Sequence, residues 1–304
     1  MRLSLRVFRR VAVCVLAAAV LLPSSPGAAQ TDMENIIKQL GSEAVKGYIQ
    51  PMADLFGANM NAGLFHSAAI PRDGFFMELS FVGMGASVGD DQKLYTLNLP
   101  PGFGGLTTRQ PTIFGPKATL VTDPATGLQF KGSDGIIDAS LFPLVVPQLT
   151  VGNFYGTQAS LRYVPIPAIG DDKFPKVTLF GIGARHSISQ YLEEPPLDAA
   201  VGLFYSSFTV GDLIDFSGIS IGAQAGKTFS VVDVYGGLAW ESSSMNLQYT
   251  QSGGGSPVVD IDLDGANSFR FTLGAGLKLA FLRLFADANF GSVTNFSGGI
   301  GFGN

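Results

Sequence analysis

Charge is scarce in this chain of 304 residues: 14% of positions carry it, against roughly 25% in an ordinary soluble domain. Bases are also in the minority, with 19 Lys and Arg against 24 Asp and Glu. A protein that tracks nucleic-acid phosphates needs the reverse, so nucleic acid is excluded as a partner. Cysteine occurs once, at Cys14, and histidine twice, at His66 and His186. Long apolar runs are equally rare. A helical membrane protein needs several stretches of about 20 apolar residues, and a single one, Val11 to Leu22, comes near.

What is abundant is apolar and small. Hydrophobic residues make up 46% of the chain, with 24 Phe and 39 Gly, which excludes a disordered acidic or basic protein. The extreme N-terminus has the layout of a secretory signal peptide. Arg2, Arg6, Arg9 and Arg10 precede the apolar run, and Pro23 to Pro26 and the small residues Gly27-Ala28-Ala29 follow it. Twelve residues rise about 18 Å, too short for a bilayer core of about 30 Å, so residues 1–29 are expected to be cleaved rather than to anchor the chain. Cys14 leaves with them. The mature protein then has no disulfide and no thiol chemistry. Val13 is not the small residue that lipoprotein processing needs before a cysteine, so no lipid anchor is expected.

After the signal, residues 30–63 read as a helical plug. Thr31 and Glu34 have capping-box spacing, and Ile36, Ile37, Leu40, Ala44 and Tyr48 recur at helical steps as one apolar stripe. Pro51 is expected to end or kink this helix, with a short turn through Leu55 and Phe56 after it. From Gly74 to the C-terminus the period changes to two. Phe75, Met77, Leu79 and Phe81 alternate with Phe76, Glu78, Ser80 and Val82. Val232, Val234, Leu238 and Trp240 alternate with Asp233, Tyr235, Ala239 and Glu241. Phe269, Phe271, Leu273, Leu277 and Leu279 alternate with Arg270, Thr272, Gly274, Gly276 and Lys278.

Alternate side chains of a strand point to opposite faces. One face here is apolar, and the other is glycine, serine and occasional charge rather than the Lys and Glu of a soluble sandwich. Segments of about ten residues with that alternation are the signature of a transmembrane β-barrel. Short links at Asn153–Gly156, Tyr191–Pro196, Thr228–Ser230 and Ala280–Phe281 alternate with connections at Pro165–Pro175, Gly211–Asp215 and Gln251–Ala266 and a tight turn near Gly291, as periplasmic turns alternate with outer loops. The expected fold is an all-β, antiparallel barrel over residues 74–304. It has about 12 strands, with 10 to 14 admissible and Pro100 to Pro143 unplaced, and it stands in the bacterial outer membrane.

Several motifs resemble a family of uncharacterised bacterial outer-membrane proteins. They are Tyr48-x-x-Pro51 with Gly57, Asn61 and Gly63, then Gly74-Phe75, Pro111-Thr112-Ile113-Phe114-Gly115, Pro147-Gln148-Leu149-Thr150-Val151-Gly152, Leu161-Arg162-Tyr163-Val164-Pro165, and Gly181-x-Gly183 with His186. More distantly the plan is similar to the long-chain fatty-acid channel type, a barrel with an N-terminal plug. That family's Asn-Pro-Ala motif is missing, so its ligand is not implied. The chain ends at Asn304 with Phe302 two residues back, a departure from the terminal aromatic that barrel-assembly machinery recognises.

Chemical motifs mostly fail on inspection. A barrel hydrolase with a His-x-Ser pair on one wall would need serine at Ile188 or Ala68, so no enzyme is expected, and a lipid-modifying barrel ranks third among the readings. Asp260, Asp262, Asp264 and Gly265 open like a calcium loop, but the twelfth position is Phe271 where an EF-hand needs Glu. These acids read as a solvated outer loop, with low-affinity divalent binding as the alternative. The Gly-x-Gly pairs lack the third glycine and the helix of a dinucleotide site. They read instead as relief of crowding on strands. No cofactor is expected. What remains is an inward set of charges, Glu78, Arg162, Arg185, Asp233, Glu241, Arg270, Lys278, Arg283 and Asp287. They line either a selective pore or a salt-bridged lumen. The leading expectation is passive passage of a small or apolar solute, with membrane lipid as the surrounding partner. The alternative is a closed barrel that supports the envelope or docks a partner.

Overall fold

The period-two segments close on themselves. A computed structural model of the chain describes residues 26–99, 102–168, 175–249 and 259–304, with side chains from residue 43 onward except at residues 249 and 259. In chain order these form α1 (Pro26–Met60), β1 (Phe76–Ser87), β2 (Leu94–Asn98), β3 (Thr107–Pro111), β4 (Val121–Thr122), β5 (Gln129–Phe130), β6 (Leu141–Phe154), β7 (Thr157–Ile166), β8 (Val177–Ser187), β9 (Asp198–Val210), β10 (Ile214–Phe229), β11 (Val232–Tyr249), β12 (Val259–Asp264), β13 (Phe269–Leu279), β14 (Leu282–Phe290) and β15 (Asn295–Gly303). Among the described residues, ten strands make an antiparallel ring: β1, β6 to β11, and β13 to β15. It closes because β10 pairs with β9 on one edge and β11 on the other. β12 stands outside the ring, paired with residues 244–249 of β11 beyond the stretch that β13 takes. Residues 1–25 of the expected signal peptide, with its run from Val11 to Leu22, lie outside the described residues, and its last four, 26–29, form the start of α1.

Ten strands replace the expected 12, and the difference arises after β1. The described residues of 88–140, a stretch rich in Pro and Gly, form the hairpins β2–β3 and β4–β5 and a 3-10 turn at Asp90–Gln92, and add no strand to the ring. Proline lacks the N–H a ladder needs, so such a stretch cannot supply central strands. The wall resumes at Leu141. There β6 outruns β7: their last pair is Gln148 with Arg162, and residues 141–147 pair with β1 alone. Pro143 and Pro147 fall in that one-sided stretch, and Pro165 falls in the part of β7 that pairs only with β8. Prolines in sheets are confined to such edges.

The faces are as the alternation requires. Met77, Leu79, Phe81, Leu203, Tyr205, Leu238, Phe271, Leu273 and Phe296 are exposed on the outer wall, while Glu78, Ser80, Gln148, Arg162, Ser206, Glu241, Arg270 and Asn289 are buried inside. Tight links at one end of the ring place Ser230 and Ala280 at positive φ, 59° and 53°. The longer connections gather at the other end.

Helix α1 departs from expectation at both ends. It begins at Pro26, ahead of the Thr31 capping box, and runs unbroken through Pro51 to Met60. Proline suits a first turn, where its missing N–H has no partner to lose. Pro51 lies in a stretch where Val45, Tyr48, Ile49, Ala53, Leu55, Phe56 and Met60 are all buried, and tertiary packing of that density overrides local propensity. Its packing partners lie at the loop end of the lumen: Phe142, Leu144, Val177, Leu179, Phe208, Val210, Phe216, Met245, Ile261 and Leu263. The side chains of Ile36, Ile37 and Leu40 lie outside the described residues, whereas Ala44 and Tyr48 are buried as the stripe requires.

Connections at the loop end wrap the emerging helix. The Ile113 N–H donates to the Tyr48 carbonyl at 2.9 Å, and the Tyr48 hydroxyl donates to the Asp134 carbonyl at 2.9 Å. The Asp134 carboxylate accepts the Ala118 N–H, which holds it below the usual carboxylate range. Tyr95 of β2 lies against Gly47 so closely that no Cβ fits, and burial pushes its phenol up to about 12.

Inside the wall, strand glycines make room for rings. Tyr235, Gly274 and Asp287 are in register on β11, β13 and β14. The Tyr235 side chain crosses over Gly274 and donates its hydroxyl to Asp287 at 3.1 Å. Phe204 covers Gly183 in the same way on β9 and β8. Gly274→Val drives a side chain into a fully packed phenol ring. A loss of about 1–3 kcal/mol is expected from such overpacking, read as a lower temperature at which the compact band on an unheated gel converts to the unfolded one. Tyr235→Phe, which keeps the ring and loses one hydrogen bond, should cost about 1 kcal/mol.

Candidate functional site

A helix ends with its last carbonyls unsatisfied and with a partial negative charge. In α1 those carbonyls lie in the middle of a protein-filled lumen, where water cannot serve them. The Asn61 and Ala62 N–H groups serve Gly57 and Asn59, and two arginines serve Ala58 and Met60. Arg162 on β7 donates to the carbonyls of Met60, Ala62 and Gly63 at 3.1, 2.9 and 2.6 Å, and its Nε donates to Gln148 at 2.9 Å. Arg270 on β13 donates to the Ala58 carbonyl at 2.8 Å and pairs with Glu241 of β11 at 3.1 Å. β7 and β13 are five strands apart either way round the ring. The helix end is thus held from opposite walls. Asn59, fully buried, adds a donor bond to the Phe142 carbonyl at 2.7 Å and accepts from Asn295.

Beyond Met60 the chain descends as a strap along the lumen. Gly63, at φ +59°, sits against Val82 and Ser297 where a side chain would collide. Phe65 meets Tyr235 edge-on, and the Ser67 carbonyl accepts from Arg185 at 2.9 Å. His66 stacks on Phe285 and approaches Glu78 at 3.4 Å, while Glu78 also pairs with Arg283 at 3.0 Å. The strap reaches the far end, where the Arg72 carbonyl accepts the Gly156 N–H in the β6–β7 turn.

The lumen therefore has two unlike halves. The loop half is dry and filled by α1. The short-turn half holds a polar cavity of about 360 Å³ lined by His66, Glu78, Gln158, Arg185, Asp233 and Arg283, with Gly74, Phe75 and Asn304 at its mouth. It has room for on the order of ten waters at about 30 Å³ each. A second void near Asn61 and Arg270 is only about 40 Å³.

Of the nine charges expected inside, Glu78, Arg162, Arg185, Asp233, Glu241, Arg270 and Asp287 are buried. Arg283 is partly covered beside Glu78. Lys278 is exposed at the cavity mouth rather than enclosed, because β13 ends one residue later. The set forms separate groups rather than one ring: Arg270 with Glu241, Arg283 with Glu78, Asp287 with Tyr235, Asn289 and Ser297, and Asp233 with Thr228. The neutral partners Gln148, Gln158, Asn59, Asn289 and Asn295 were not singled out from sequence. For the four on strands the signal was amide side chains at inward positions of the period-two pattern, whereas Asn59 lies on α1 and had no such signal.

The other candidates fall elsewhere. Asp260, Asp262 and Asp264 lie on β12, not in a loop, and point the same way along the strand, where alternate residues are about 6.6 Å apart. The Asn246 amide bridges Asp260 and Asp262 at 2.8 Å each, and no cluster of three metal-binding side chains forms among the described residues. His186 is a rim residue facing outward. It bonds Thr157 and Tyr191 at 2.8 Å and Gln190 at 3.0 Å.

The chain belongs to the Family of unknown function (DUF6588), whose model matches residues 8–304, and the kinship expected from the motifs is borne out. Three solved structures show the kind of likeness found. A loop-deletion form of OmpT, an outer membrane protein of Vibrio cholerae, is 15% identical over 76% of this chain and 98% of its own, with a TM-score of 0.28. The Ralstonia pickettii toluene transporter TbuX is 11% identical over 76% of this chain and 89% of its own, with a TM-score of 0.27. The translocator domain of the autotransporter NalP from Neisseria meningitidis is 9% identical over 93% of this chain and 99% of its own, with a TM-score of 0.25. Likeness at that level carries no activity or partner across. No curated protein matches the chain significantly.

Arg162→Met leaves three lumen carbonyls without their charged donor. A hydrogen bond to a charged group contributes about 1.5–3 kcal/mol, and the orphaned acceptors add to the loss. We expect a stability decrease of about 3–5 kcal/mol in denaturant titration. Arg162→Lys should recover part of it, because a point charge cannot fork to three carbonyls and Gln148 together.

Proposed function

We propose that this family member is an outer-membrane barrel of the bacterial envelope, shut at rest by its own N-terminal helix. The exposed apolar belt supports the membrane reading, since Phe, Leu and Tyr side chains on every wall suit acyl chains and membrane lipid is then the main partner. The observation that carries the closed state is the grip of Arg162 and Arg270 on the end of α1 from opposite sides. A closed barrel that stabilises the envelope or carries a partner fits this better than a standing pore. A non-enzymatic role is supported by the histidines: His66 meets Glu78 and Phe285, and His186 meets Thr157, Tyr191 and Gln190.

Passage of a small apolar solute is the second reading, and one observation favours it. Between β6 and β7 the ladder stops at Gln148 and Arg162, and the wall beyond it is held on one edge only. An apolar molecule displacing side chains there would pass sideways between lumen and lipid. Cysteines replacing Val146 and Val164, two positions further along the same register, would staple that seam. Passage by this route stops on oxidation and returns on reduction.

Planar-bilayer recording separates the two readings. The full-length protein should be electrically silent, and Arg162→Ala and Arg270→Ala combined with Leu55→Ala and Phe56→Ala, which removes part of the apolar packing as well, should show intermittent openings. Steady current through the unaltered protein would overturn the closed-barrel reading.

A further inference from the structure

The direction of α1 has a topological consequence. The helix enters the strap at Met60 in mid-lumen, and the strap leads to β1 at the short-turn end, next to Gly156. Its earlier residues therefore lie toward the opposite end. Three contacts fix this. Gln50 donates to the Asp264 carbonyl at 2.7 Å, Asp54 accepts the Ala266 N–H at 3.0 Å, and Tyr48 bonds Asp134. All of these partners belong to connections at the loop end.

Among the helix residues whose side chains are described, the buried ones fall between Ala44 and Met60. The helix has 35 residues, about 52 Å at 1.5 Å per residue, whereas Ala44 to Met60 accounts for about 25 Å. Ala44 already packs on Leu97 and Leu99 of the region above the ring, and Glu43 before it is exposed. With residues 1–29 removed, about 21 Å of helix, residues 30–43, precedes the packed segment.

We infer that the barrel is threaded: the chain crosses the lumen from the loop end to the short-turn end before β1 begins, so the mature N-terminus is displayed on the outer face of the membrane. A leader processed on the inner side would ordinarily leave the N-terminus there. Here the segment after the leader has passed through the ring, and the barrel presents it outside. This gives the closed barrel a positive role, as a holder of a helical segment at the cell exterior. The inference rests on the outer-membrane reading, with short turns facing inward as barrels of this kind place them.

Impermeant maleimide labelling of intact cells tests it. In a Cys14→Ser background, single cysteines are placed by Thr31→Cys, by Ala125→Cys in the long connection at the loop end, and by Glu193→Cys in a short-turn-end link. Each variant is first checked for the compact band on an unheated gel. The expected result is labelling at Thr31→Cys and Ala125→Cys on intact cells, at least tenfold above Glu193→Cys, which reacts only after the outer membrane is breached. Labelling of Ala125→Cys alone on intact cells, with Thr31→Cys reacting only after breach, overturns the threading and leaves the membrane reading standing. Reaction of Glu193→Cys but not Ala125→Cys overturns it by reversing the barrel. Failure of Ala125→Cys and Glu193→Cys alike on intact cells defeats the membrane reading itself.

Discussion

A helix terminus inside a protein must find donors for its last carbonyls, and that requirement organises this molecule. Arg162 meets the Met60 carbonyl together with those of Ala62 and Gly63 just beyond it, and Arg270 meets that of Ala58. Each guanidinium would be costly to bury alone. Gln148 and the strap carbonyls satisfy the first, and Glu241 balances the second. Neither the wall charges nor the helix end is stable without the other. The lumen and the N-terminal segment are therefore one packed unit. The barrel is not a preformed tube into which a plug was later placed.

The two halves of the lumen follow from where this grip falls. Toward the loops the helix presents Val45, Ile49, Leu55 and Phe56 to Phe142, Phe208 and Phe216, and the space is dry. Toward the short turns the chain is an irregular strap, and its exposed backbone calls for polar neighbours such as Arg185. Irregular backbone is tolerated at membrane depth only where protein or a water-filled cavity surrounds it. The polar cavity beside Glu78 and Arg283 provides that setting.

Strand faces were legible because a period of two is insensitive to context. Glu78, Glu241, Arg270 and Asp287 could be placed inside from alternation alone, and they are buried there. Strand number was not legible. Pairing is a long-range property, and the segment that misled, 88–140, has strand-like residues whose prolines bar it from the wall. Pro51 misled for a related reason: local rules predict a break, and the burial of seven apolar neighbours outweighs it. The grip of Arg162 was out of reach altogether, since its partners are carbonyls roughly a hundred residues away, and backbone acceptors leave no trace in side-chain patterns.

Helix departure from the lumen is governed by the dry half more than by the arginines. Burying Val45, Ile49, Leu55, Phe56 and Met60 contributes about 2 kcal/mol each, of order 10 kcal/mol together. Each 1.4 kcal/mol is a factor of ten in population, so spontaneous withdrawal is suppressed by about seven powers of ten before any hydrogen bond is counted. A solute too weakly bound to offset that energy cannot open the barrel by binding. Opening by full removal of α1 would need a macromolecular partner pulling on the helix. Any passage without such a partner is confined to paths that leave the helix in place, such as the stretch of β6 that pairs on one edge only.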